Sequence, residues 1–171
     1  LQQITGATAN EMSGLVHITD DFGVTAETLQ ARLTILSRNI HGLQDDTQAA
    51  IEGNKGFRAT MDSLGVQFTT TAGQARPFMD VLFDVADRFA ETADGIDKTA
   101  IAAALFGRGA ADLIPTLNLG SEAMKELLKD AERLGVALGD EDVEALVRLH
   151  LAQDNFSEAM EGLGNKITIA L

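Results

Sequence analysis

The chain has 171 residues, 45% of them apolar, with Phe as the only aromatic and no Cys. That is enough apolar matter for a packed core, and it excludes an unfolded chain, disulfides and thiolate zinc sites while leaving the redox compartment open. A net charge of −13 argues against nucleic-acid tracking and anionic membranes, and no run approaches the ~18 apolar residues of a membrane span.

Thr8-Ala9-Asn10-Glu11 has the form of a capping box, with Thr8 as cap and Glu11 reaching back. It predicts a helix to about Thr19, broken by Asp20-Asp21-Phe22-Gly23. A long helix is predicted over about 25–52. Its Leu29, Leu33, Leu36, Ile40, Leu43, Thr47 and Ala50 form the seam of helices crossing at a shallow angle, with Gly53 as C-cap. A short helix follows from Phe57 to Leu64 and stops at Gly65. Residues 66–76 are the least helical part, rich in Thr, and read as a loop or a small hairpin.

Pro77 is expected in the first turn of the next helix, where a missing N–H is harmless. Phe78, Leu82, Val85 and Phe89 form its seam, and it should stop near Ala93. A further short helix runs from about Asp97 to Ala104. Gly107 and Gly109 interrupt the pattern, and Ala110 to Leu117 can form another short helix with Pro115 near a bend. Ser121 reads as the cap of a helix ending at Leu134-Gly135, and Asp140 as the cap of a long last helix over about 140–163. Along that helix Ala145, Leu149, Ala152, Phe156, Ala159, Leu163 and Ile167 alternate large and small, a seam that wants a partner helix.

The fold class is therefore all-α: a multi-helix bundle or extended helical assembly with short glycine-containing joints. Three parts are delimited: a helical lead-in over 1–65, the loop or hairpin over 66–76, and a helical module over 77–171. The chain opens on Leu1 without a signal peptide and is read as a piece of a longer protein.

Chemistry is hard to place on it. In Leu105-Phe106-Gly107-Arg108-Gly109 two glycines flank an arginine, but a phosphate loop needs a preceding strand and a closing Lys-Ser/Thr. The stretch reads instead as a joint between helices, with Arg108 exposed or capping carbonyls. His17, His41 and His150 lie on separate helices; Asp20 near His17 and Asp154 four residues after His150 read as surface His–Asp pairs rather than metal ligands. The acidic stretches at 94–97 and 139–142 lack calcium-loop spacing. Asp154, Glu158 and Glu161 read as a solvated face rather than a catalytic pair. No catalytic, cofactor-binding or metal-binding residue is nominated, and no cofactor is expected. The partner-binding candidates are the last-helix positions Leu149, Phe156 and Leu163.

The order of joints carries a resemblance. Asp62-Ser63-Leu64-Gly65-Val66 is followed by Val81-Leu82-Phe83-Asp84-Val85-Ala86-Asp87-Arg88-Phe89 and by Asp94-Gly95-Ile96-Asp97-Lys98-Thr99-Ala100. Then come Leu105-Phe106-Gly107-Arg108-Gly109, Asp112-Leu113-Ile114-Pro115-Thr116-Leu117-Asn118, Gly120-Ser121 and Leu134-Gly135-Val136. This ordered set, over roughly 4–163, resembles the tail tape measure proteins of long-tailed phages and prophages. The Thr-rich loop and the Gly109-Ala110-Ala111 run depart from the usual pattern.

The resemblance implies a segment of a non-enzymatic, largely helical virion protein. Such a protein lies inside the tail tube, after assembly in the host cytoplasm, and acts in tail-length determination, tail assembly and genome delivery. It implies tail tube and tail tip proteins and tail assembly chaperones as partners, and three or six copies, with no specific nucleic-acid binding and no membrane contact here. A helical adaptor of prophage or secretion-related origin is the alternative, and a cell-wall hydrolase a more distant one.

Overall fold

A computed structural model describes residues 5–42, 54–71 and 73–135. The chain divides into two units, Leu1–Ala137 and Leu138–Leu171, and the described residues all belong to the first. The expected last helix, with Asp140, Leu149, Phe156 and Leu163, lies outside them, as do Leu43, Thr47, Ala50 and Gly53.

The described residues form seven α-helices and no strands, an all-α fold. In chain order these are α1 (Ala9–Asp20), α2 (Ala26–Gly42), α3 (Lys55–Leu64), α4 (Phe78–Glu91), α5 (Ile96–Phe106), α6 (Ile114–Leu117) and α7 (Gly120–Arg133), with a 3-10 turn at Ala110–Leu113 before α6.

Local sequence accounts for most of these boundaries. Thr8 accepts the Glu11 N–H at 3.2 Å, and the Glu11 carboxylate accepts the Thr8 N–H at 2.8 Å. Two N–H groups that the first turn of a helix leaves open are thereby bonded. Helix α3 ends at Gly65, whose N–H bonds back to the Asp62 carbonyl. Residues 66–76 close as a tight antiparallel turn. Arg76 N–H donates to Phe68 O at 3.0 Å and Thr70 N–H to Gln74 O at 2.7 Å, around one isolated bridge between Thr69 and Ala75.

Several boundaries differ from expectation, and α3 starts at Lys55 rather than Phe57. Pro77 is the residue before α4 rather than within its first turn, and its extended ψ of 136° lets the chain leave the 66–76 turn and enter the helix. The stretch 110–117 is not one short helix. It runs as a 3-10 turn and then α6, with Pro115 in the opening turn of α6, where its missing N–H breaks no bond.

The core is built from the predicted seams. Leu29, Leu33, Leu36 and Ile40 of α2 are buried, and so are Phe78, Leu82, Val85 and Phe89 of α4. Helix α7 packs against α1 and α4, and α5 packs against α2 and α3. One apolar cluster joins residues from both sides of the 66–76 turn, from Leu15 and Leu36 to Val85, Phe106 and Met124. Helices α1 and α7 cross at Gly14, where a Cβ would stand 2.6 Å from Leu128 Cδ2. A larger residue there would have to displace the Leu128 methyl, and glycine in mid-helix is otherwise unfavourable by about 1 kcal/mol relative to Ala.

The core has one weak point. A void of about 20 Å³ lies among Leu15, Leu29, Leu82, Phe106, Thr116 and Met124. Thr116 is buried and its hydroxyl has no partner. Thr116→Val keeps the shape and removes the unbonded hydroxyl, so it is expected to raise stability by about 1 kcal/mol in a urea titration. A loss of stability would mean that the hydroxyl is bonded in solution.

Candidate functional site

The glycine–arginine joint is a closely packed turn on the described surface. Helix α5 and the 110–117 stretch meet there at 106°. Gly107 and Gly109 have φ of +87° and +83°, which only glycine adopts freely. Neighbours crowd the joint as well: a Cβ on Gly107 would lie 2.7 Å from Ile35 Cδ1, and one on Gly109 2.9 Å from Arg32 Nη2, so the ends of both side chains would have to shift. The left-handed backbone is thus the main demand for glycine, and two side chains of α2 close over the joint.

Arg32 does more than close over it. Its Nη1 donates to the Arg108 carbonyl at 2.6 Å, and its Nη2 stands 3.5 Å from Asp112 Oδ2. One guanidinium therefore ties α2 to both sides of the joint. Arg32 Nε and Asp112 Oδ1 remain unbonded, so the pair is incompletely satisfied. The Arg108 side chain is exposed, one of its two expected states; the carbonyl at the joint is capped by Arg32 instead. The N–H of Gly107 is turned inward to Ala103 O, and that of Ala110 to Gly107 O.

A second fastening lies along α4. Its Asp80, Asp84, Asp87 and Glu91 are spaced as one helical stripe. Asp84 takes Arg76 Nη1 at 2.6 Å, and the same nitrogen donates to Gln67 O at 2.6 Å, which fixes the 66–76 turn onto α4. Asp87 Oδ1 accepts the Ser121 N–H at 2.6 Å. Ser121 was expected to cap α7 with its own hydroxyl. It lies inside the helix instead, and the cap is supplied by Asp87 from another helix, where its charge also faces the positive end of α7. Asp87→Ala is expected to cost about 1–2 kcal/mol, with Asn at this position recovering most of it, in the same urea titration.

Lys98 is the third feature. Its side chain is only 5% exposed, with Nζ 3.0 Å from Asp94 Oδ1 and 5.4 Å from the centre of the Phe89 ring. An ammonium is rarely buried unless it is paired, and here one exposed carboxylate and one aromatic face hold it.

Clefts open among the described residues. One of about 490 Å³ is lined by Gly65, Val66, Asp84, Asp87, Arg88 and Glu91. Its carboxylates already bond within the protein: Asp84 to Arg76, Asp87 to Ser121, and Glu91 to Arg88 at 3.0 Å. Another, of about 420 Å³, includes Glu11, Ser37, His41, Arg76 and Asp80. Among the described residues no three His, Cys, Asp or Glu side chains converge as a metal site, and no single helix is long and apolar enough to cross a membrane. His17 and His41 are exposed on α1 and α2. His150, the acidic face at 154–161 and the partner-binding candidates Leu149, Phe156 and Leu163 lie outside the described residues.

Three residues here escape a reading of the sequence: Arg32, Asp87 and Lys98. Arg32 acts 76 positions from its acceptor and Asp87 acts 34 positions from its own. The one local signal was the Asp94…Lys98 spacing of four, which suits a helical ion pair but says nothing of burial. Comparison with protein-family models, curated proteins and solved structures finds no match to this chain.

Proposed function

We propose that this chain is a module of a phage or prophage tail tape measure protein. In this reading it is a non-enzymatic virion component that acts in tail-length determination, tail assembly and genome delivery from within the tail tube. The observation that carries the proposal is the ordered set of joints from Leu64-Gly65 to Leu134-Gly135, whose glycine-bearing members mark where helices end, turn or begin. The all-α fold of the described residues supports it, since the family that the chain resembles is largely helical. The net charge of −13 supports it too, since a conduit for DNA works best when its contents repel the DNA backbone.

Its partners in this reading are copies of itself, three or six in number, the tail tube and tip proteins, and tail assembly chaperones. The test is peptide mass spectrometry of purified tails from cells that carry the gene. Peptides of this chain are expected in the tails, in a fixed ratio to the tube protein. Their absence from tails, with the protein free in the cell, would overturn the proposal in favour of a helical adaptor.

A further inference from the structure

The loop between α4 and α5 carries the only Asp-Gly or Asn-Gly dipeptide in the chain, Asp94-Gly95. The Asp94 side chain is 84% exposed, and its carboxylate is the anion that faces the buried Lys98 ammonium. A Cβ added to Gly95 would meet nothing within 4 Å. The segment just before α5 is held from its far side, with Gly95 O accepting the Thr99 N–H at 3.3 Å.

We propose that Asp94–Gly95 is a site of spontaneous aspartate isomerisation, and that Lys98 converts this chemical change into a loosening of α5. The Gly95 nitrogen attacks Cγ of the protonated Asp94 carboxyl. An N–Cγ bond forms, and the amide hydrogen leaves with the carboxyl hydroxyl as water, closing a succinimide ring. Water then adds to one of the two ring carbonyls. Breaking the N–Cγ bond restores aspartate. Breaking the bond from the Gly95 nitrogen to the Asp94 main-chain carbonyl carbon leaves isoaspartate, with the backbone running through Cβ. One water leaves and one returns, so mass and oxidation state are unchanged.

Glycine at the second position favours the ring because it has no side chain to crowd the attacking nitrogen, and the space where its Cβ would stand is open. The product has a backbone longer by one methylene and a carboxylate attached directly to Cα, displaced from Lys98 Nζ. The ammonium cannot follow it outward without leaving the Phe89 ring. A buried cation that loses its counter-ion is destabilising, and Lys98 sits in the first turn of α5, where the helix dipole already disfavours positive charge.

The test is incubation of the full chain at 37 °C and neutral pH, followed by peptide mapping for isoaspartate and thermal melting of the separated isomers. Isoaspartate is expected to accumulate at position 94 several-fold faster than at exposed Asp62 or Asp20, and the isomerised fraction is expected to melt lower. Asp94→Glu, which keeps the charge and disfavours the ring, should accumulate none there. No excess at position 94 would overturn the proposal. An excess with unchanged melting would overturn the role assigned to Lys98.

Discussion

Phe89→Ala is expected to destabilise the protein by about 3–5 kcal/mol. The ring is fully buried in α4, within the cluster that joins α4 to α2 and α5. It also carries the Lys98 ammonium over its face. The two contributions are unequal. Cation–π attraction supplies about 0.5–2 kcal/mol, so loss of the packed ring dominates. Phe89→Leu separates them: it keeps most of the volume and removes the aromatic face, and should cost about 1–2 kcal/mol. Urea titration of the three proteins measures both steps. An Ala variant within about 1 kcal/mol of the parent would contradict the core as described.

Arg32→Ala is expected to cost about 2–3 kcal/mol, because it strips a charge-assisted bond from the Arg108 carbonyl and leaves Asp112 half-buried without its cation. The 2.6 Å bond to the carbonyl should outweigh the 3.5 Å contact with Asp112, which stands at the edge of hydrogen-bond geometry. Asp112→Ala should therefore cost only about 1 kcal/mol or less. Arg32→Lys should not rescue, since one ammonium cannot reproduce the two-pronged reach of a guanidinium. Equal losses at the two positions would show that the ion pair, rather than the carbonyl, holds the joint.

The helices were legible in the sequence wherever periodic seams or local caps define them. Leu29, Leu33, Leu36 and Ile40 face inward as their spacing requires, and the Thr8–Glu11 box is formed from residues three apart. Where sequence reading fell short, the decisive partner was distant. Ser121 is a good capping residue by type, but Asp87 supplies the bond from α4. The two glycines of the joint pointed to special backbone angles, which they have, but not to Ile35 and Arg32 as the side chains that close over them. Lys98 reads as a solvated helical lysine until the fold lays it under Phe89. None of these pairings has a local period, so only the tertiary structure brings them into view.

The proposed function is tested most directly by tail length in electron micrographs after in-frame excision of residues 1–171 from the gene. As one continuous helix these residues would span about 260 Å, whereas a compact domain with this number of residues is about 40 Å across. Because the described helices share one apolar core, excision is expected to impair tail assembly or infection while shortening completed tails by far less than about 260 Å. Tails of normal length, number and infectivity would contradict the tape measure reading outright.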